Sequence, residues 1–378
     1  MKITFPHMGN SWIVIQALFD SLGVEYVIPP KNSKETLNIG TKLAPESACL
    51  PLKLNLGNYI EAAEQGADTV VITGGIGPCR FGYYGESERQ ILQDAGFSYD
   101  VVILEPPDGS LMGLAERIRY LAGRENSWYK IGRALRFAYR KSVAIDQIED
   151  LIHGFRPYAV NSQEADQLFE EAKRRLVLAM TDEGIKGAVR WLKSRIREKE
   201  EENPEQFSES PLKIGIIGEI YTILEPFSSV EVEKQLGNLG AQVDRSIYLS
   251  GWVGQHVFQG LAQGYRSLKP YYRLAKPYLN HFVGGHGEET VGAAVHYAKQ
   301  GYDGIIQILP LGCMPEIVAS SILPRIQEDY NVPIMTLTFD EHTGQAGVQT
   351  RLEAFMDLLE RSKGKQNVIQ LGEISHAH

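Results

Sequence analysis

The sequence predicts an α/β protein built from two flavodoxin-like or Rossmann-like parallel-sheet units with a helical insertion between them. Three observations carry that reading. Strand and helix signals alternate through the first ~110 residues, the mark of a parallel sheet covered by helices. From about residue 111 to 200 the β-branched runs give way to helical stripes. A second alternating unit then opens near Leu212 and echoes the first.

Taken in order, residues 3–5 form a short apolar run that reads as a strand. Trp12, Ile15, Phe19 and Leu22 recur at helical spacing until Gly23 stops the helix, and residues 24–28 restart a strand. Residues 69–72 and 101–104 are two further β-branched runs, each with Gly or Pro close by, so residues 1–110 make the first α/β unit. Leu168, Phe169, Ala172, Leu176 and Met180 make one helical stripe; Ile185, Val189, Leu192 and Ile196 make another. Residues 198–210 are charged, polar and proline-bearing and read as a linker, which gives 111–210 as a mainly helical region.

Leu212-Lys213-Ile214-Gly215-Ile216-Ile217-Gly218 opens the second α/β unit, residues 211–378. In the first unit Gly66-Ala67-Asp68 precedes a strand that leads to Cys79. In the second, Gly301-Tyr302-Asp303 precedes a strand that leads to Cys313, and the Gly-to-Cys intervals are 13 and 12 residues. The echo points to a duplicated architecture in which each half contributes a cysteine loop to a shared cleft.

Composition narrows the class. A chain of 378 residues supports two or three domains, and 43% hydrophobic with 22% charged residues fits an ordinary globular protein. A net charge of −9 argues against non-specific nucleic-acid binding. No apolar run approaches the roughly 20 residues of a membrane span, and the N-terminus goes straight into a strand without a signal peptide's apolar stretch. Three cysteines form no disulfide framework, so the expected compartment is a reducing cytoplasm. Neither nucleic acid nor membrane is expected as a partner.

The cysteines are the main chemical signal. Cys49, Cys79 and Cys313 lie on Gly/Pro-punctuated loops at the ends of β-type runs, where open α/β sheets place their ligands. Each has a proline within two residues. Spacing leaves several readings open: unrelated core cysteines, which act as small hydrophobes; an iron–sulfur cluster; zinc, although no close Cys pair exists; or a catalytic thiol. Lys53 and Arg80 stand near Cys49 and Cys79, where positive charge would stabilise an anionic centre or attract an anionic substrate. Glu46 and Glu316 each lie three residues from a cysteine and read as acid/base groups, as oxygen ligands to an open iron, or as helix caps. His7 and His286 sit in glycine-containing loops before helices, as proton donors to a substrate or as plain turn residues. Gly74-Gly75-Ile76-Gly77 is no Rossmann fingerprint, and the chain has no Gly-x4-Gly-Lys-[Ser/Thr] P-loop.

Several segments in order resemble one family over nearly the whole chain. They are Pro6-His7-Met8-Gly9-Asn10, Pro45-Glu46-Ser47-Ala48-Cys49-Leu50-Pro51-Leu52-Lys53, Gly77-Pro78-Cys79-Arg80-Phe81-Gly82-Tyr83-Tyr84, Gly218-Glu219-Ile220-Tyr221, Gly284-Gly285-His286-Gly287-Glu288, Cys313-Met314-Pro315-Glu316 and Thr350-Arg351-Leu352-Glu353-Ala354-Phe355. The chain resembles the cluster-bearing subunits of the 2-hydroxyacyl-CoA dehydratase/benzoyl-CoA reductase family, in its branch of activase-associated and double-cubane cluster proteins. The resemblance implies that Cys49, Cys79 and Cys313 bind a [4Fe-4S] cluster whose fourth iron is open to substrate. A double-cubane [8Fe-9S] cluster needs six cysteines and would have to be shared with another chain. It further implies an ATP-dependent activase with its own iron–sulfur cluster as partner, and a second copy of the chain or a related second subunit. Low-potential electrons would then reduce or reductively dehydrate a small-molecule substrate, an acyl-CoA being one candidate, with Arg80, His7, His286, Glu46 and Glu316 as candidate catalytic residues. The rival expectation is an electron carrier or cluster scaffold without a substrate of its own.

Overall fold

The computed structural model describes residues 1–74, 79–105, 111–208, 210–256 and 267–375, with side chains omitted at 111, 255–256 and 364–375. Most of the Gly74-Gly75-Ile76-Gly77 run lies outside the described residues. The first unit contains β1 (Ile3–Thr4), α1 (Ser11–Leu22), α2 (Lys34–Leu43), α3 (Leu50–Glu64), β2 (Thr69–Thr73), α4 (Tyr84–Asp94) and β3 (Asp100–Leu104). Four helices follow: α5 (Leu111–Ala122), α6 (Trp128–Phe155), α7 (Ser162–Leu178) and α8 (Asp182–Glu202). The last stretch holds β4 (Leu212–Gly218), α9 (Ile220–Leu224), α10 (Val232–Asn238), β5 (Ala241–Arg245), α11 (Leu249–His256), α12 (Lys269–Ala275), α13 (Gly287–Lys299), β6 (Gly304–Pro310), α14 (Met314–Tyr330), β7 (Ile334–Phe339) and α15 (Gln345–Ser375).

Both sheets are wholly parallel, in the orders β1-β2-β3 and β5-β4-β6-β7. The protein is therefore α/β with two parallel-sheet units. Parallel strands are covered on both faces, so their sequences run apolar without alternation. β6 follows that rule, being buried at every position.

The Gly-x-Asp echo is a structural repeat. Gly66 and Gly301 hold positive φ (84° and 73°) just after α3 and α13, conformations a side chain disfavours. Asp68 then accepts the Lys2 N–H at 2.7 Å, and Asp303 accepts the Lys213 N–H at 2.8 Å. In each unit the same turn thus pins the entry of the first strand.

Side chains from one unit reach into the other. His7 Nδ1 lies 3.2 Å from Glu225 Oε2, and the His7 carbonyl accepts the Tyr221 hydroxyl at 2.9 Å. The buried Lys53 pairs with the half-buried Glu341. The helical region packs α6 on α1, α7 and α8 through Ile13, Ile145, Ile148, Ile152, Leu176 and Leu192. From the same helix, Glu149 reaches Arg245 at 2.7 Å.

Three local expectations change. The strand expected at 24–28 shrinks to a single parallel bridge between Ile3 and Tyr26, because Pro29 and Pro30 offer no N–H to continue a ladder. Met180 falls after the end of α7 and is exposed instead of completing its stripe. Helix α8 runs to Glu202, into the segment read as linker. Among the described residues no helix is long and apolar enough to cross a membrane.

Candidate functional site

Each cysteine is the residue that opens a helix. Cys49 is the N-cap of α3, Cys313 that of α14, and Cys79 that of a 3-10 turn, Arg80–Tyr83. Pro51 and Pro315 explain two of these starts: proline in the first turn fixes a helical φ and lacks only an N–H that has no partner there anyway. Cys79 follows β2 and Cys313 follows β6, so both lie beyond the carboxyl ends of parallel strands, the usual ligand side of such sheets, whereas Cys49, expected at a strand end as well, lies on the loop from α2 to α3.

The three thiols are free, Cys313 buried and the other two half-buried. They lie in one another's electrostatic field: Cys79 acts on Cys49, and Cys49 acts on Cys313. Burial pushes the Cys49 thiol up to about 12 and raises Cys79 and Cys313 as well. The Glu219 carboxylate adds to the rise at all three, while Arg80 opposes it at Cys49 and Cys79. The Phe81 and Glu316 N–H groups pull Cys79 and Cys313 the other way without closing a capping hydrogen bond. Thiols held protonated are poor nucleophiles near neutral pH, which counts against a catalytic-thiol reading.

Arg80 sits among all three loops. Its Nη1 donates to the Ser47 carbonyl at 2.7 Å, two residues before Cys49, and its Nη2 donates to the Gly312 carbonyl at 2.9 Å, directly before Cys313. The loop carrying His286 packs on the same centre: a Cβ built on Gly285 would stand 3.0 Å from Pro315 and 3.7 Å from the Cys79 sulfur. His286 itself is the half-buried N-cap of α13.

The other expected site residues are placed differently. Glu316 is fully buried in the first turn of α14, where Thr290 donates to it at 2.9 Å and Gln307 at 2.8 Å. Burial pushes its carboxyl up to about 8, so it stays largely protonated at neutral pH and ties α13, β6 and α14 together. Glu46 is exposed, and its carbonyl accepts the Lys53 ammonium at 3.3 Å. Lys53 is buried and committed to Glu341, so it is no free cation. His7 is buried at the junction of the two units, with its ring on Glu225 and its backbone N–H on Asn58 at 2.9 Å.

Two neighbours of the thiols escaped the sequence reading. Glu219, at the end of β4, is the N-cap of α9 and accepts the Tyr221 and Thr222 N–H groups at 2.9 Å each. Its position in the first strand-to-helix turn of a parallel unit was the available signal. Tyr84 hydrogen-bonds the Cys49 sulfur through its hydroxyl; the sequence marked it only as part of the Cys79 segment and gave it no role of its own.

Among the described residues no group of three or more His, Cys, Asp or Glu side chains is arranged to hold a metal ion. The thiolates of an iron–sulfur cubane stand on different iron atoms and need not converge on one point. Three helix-opening sulfurs with N–H and O–H groups directed at them suit such a cluster by donor chemistry, since hydrogen bonds to cluster sulfurs are a main means of tuning it. The chain matches no protein-family model and no curated protein sequence.

Proposed function

We propose that this is an iron–sulfur protein in which Cys49, Cys79 and Cys313 hold a [4Fe-4S] cluster. It would receive low-potential electrons from an ATP-dependent activase and reduce or reductively dehydrate a small substrate. The observation that carries the reading is the grouping of all three cysteines, drawn from both sheet units, around the Arg80 guanidinium. When bound, the cluster supplies one-electron chemistry and an iron with an open position. The chain's own part is to hold three sulfurs at helix starts, direct the Tyr84 hydroxyl at one of them and pack the His286 loop beside them. The positive ends of α3 and α14 favour the anionic state of such a centre.

A second reading, an electron carrier or cluster scaffold, gains support from the same residues. Of the two cations expected to attract an anionic substrate, Lys53 is paired with Glu341, while Arg80 gives part of its donor set to two carbonyls and keeps its charge. A cavity of about 900 Å³ lies elsewhere, between α6 and α8, lined by Leu135, Tyr139, Val143, Ile185 and Val189.

Protein purified without oxygen tests both. One cubane predicts brown protein with about four iron and four sulfide per chain, and Cys313→Ser should abolish or convert the cluster. Colourless protein carrying stoichiometric zinc, or an unchanged EPR spectrum in Cys313→Ser, would overturn the proposal. Substrate-dependent oxidation of the reduced cluster separates enzyme from carrier.

A further inference from the structure

Arg80 makes a fork-shaped contact that charge alone does not require. A guanidinium presents its donors in a fixed plane and can hold two acceptors at once. Here the two acceptors are main-chain carbonyls 33 and 232 residues away, on loops that each end in a cysteine. The third cysteine is its own chain neighbour. One side chain therefore touches every cysteine loop, and it joins the two sheet units through backbone rather than through side chains.

The Gly312 side of the contact is tailored. Gly312 has φ +74°, and a Cβ there would stand 3.2 Å from Arg80 Nη2, so the close approach of guanidinium and backbone depends on glycine. The two contacts use only part of the guanidinium's donor set and none of its charge, so the clamp role stands beside any role toward a ligand.

We propose that Arg80 is a positioning residue that clamps the Cys49, Cys79 and Cys313 loops together in the cluster-free protein. The proposal rests on the iron–sulfur reading only for its purpose; the clamp itself is a property of the polypeptide. Three loops from distant parts of the chain must otherwise be ordered while the cluster is being acquired, at an entropic cost that a preformed contact removes.

Amide exchange of the iron-free protein, followed by mass spectrometry under anaerobic conditions, tests it directly. Arg80→Ala and Arg80→Lys should both speed exchange on the order of tenfold in peptides covering residues 44–50 and 311–316, as expected for losing hydrogen bonds to a charged donor. Exchange in β4 and β6 should stay unchanged, which controls for general unfolding. Arg80→Lys is the decisive variant, since it keeps the charge but cannot hold both carbonyls in one plane. Guanidinium ion at millimolar concentration should slow the two loops again in Arg80→Ala and not in Arg80→Lys. Reconstitution with iron and sulfide should slow in both variants, also on the order of tenfold. Wild-type exchange in both variants, or faster exchange in Arg80→Ala beside wild-type exchange in Arg80→Lys, would overturn the clamp. Loosened loops in a protein whose wild type takes up no iron would support the clamp and sink the iron–sulfur reading.

Discussion

Replacing Gly40 with alanine should destabilise the protein, although the same change in an ordinary helix stabilises it. Gly40 lies in α2 where that helix crosses α3, and a Cβ there would stand 1.7 Å from the Lys53 carbonyl oxygen. The contact is reciprocal, since a Cβ on Gly57 of α3 would stand 2.1 Å from the Thr36 carbonyl oxygen. Cβ atoms essentially never approach a neighbour closer than 3.0 Å, so the two backbones must part by more than an ångström. Helix propensity favours alanine by about 1 kcal/mol. Overpacking costs about 1–3 kcal/mol and more where backbone must move. Parting the helices also loosens α3, whose Leu52, Leu54 and Leu56 are buried. A backbone-on-backbone clash belongs at the upper end of that range, so the net expectation is a loss of about 2 kcal/mol. Because α3 begins at Cys49, the displacement should also lower iron retention. Denaturant unfolding and iron content of anaerobic protein measure both effects. A Gly40→Ala variant more stable than wild type by about 1 kcal/mol, with full iron content, would show that propensity wins and that the helices are not in backbone contact.

Lys53→Met should cost about 1–3 kcal/mol in urea unfolding, because it leaves the half-buried Glu341 carboxylate without its partner, and Lys53→Met/Glu341→Leu should cost less than the single change. Glu88 is fully buried between Asn55 and Tyr59, and burial pushes its carboxyl from 4.5 up to about 8. Its folded form therefore binds more protons than its unfolded form between those values, so stability is fully present below about pH 4.5 and is lost as pH rises through about 8. Glu88→Gln removes that slope. The stability gained by the variant over wild type should grow with pH across this window, and a constant difference would refute the assignment. The Asn55 side-chain oxygen Oδ1 has no hydrogen-bond partner among the described residues; with its amide turned over it would accept from a donor at position 88, whether a protonated acid or an amide. Glu219→Gln should raise the midpoint potential of the proposed cluster, because it removes a negative charge that acts on all three sulfurs; a fall measured by EPR redox titration would contradict that electrostatic role.

What the sequence determined by itself was local. The alternation of apolar runs, the glycine stops and the Gly-x-Asp turns are written within a few residues of where they act, so the two parallel units and the strand-end position of Cys79 and Cys313 were legible. Even there, Pro29 and Pro30 outweighed the β-branched residues before them, because a ladder needs N–H donors and proline has none. Partnership was a different matter. That Lys53 would be taken by Glu341, 288 residues on, His7 by Glu225, 218 residues on, and Arg80 by the carbonyl of Gly312, 232 residues on, appears in no local pattern. A cation next to a cysteine looks the same in sequence whether it faces a ligand or a backbone oxygen. The choice is made by which loops the two sheets bring within hydrogen-bond reach, and hydrogen bonds and charges act over ångströms of space without regard to distance along the chain.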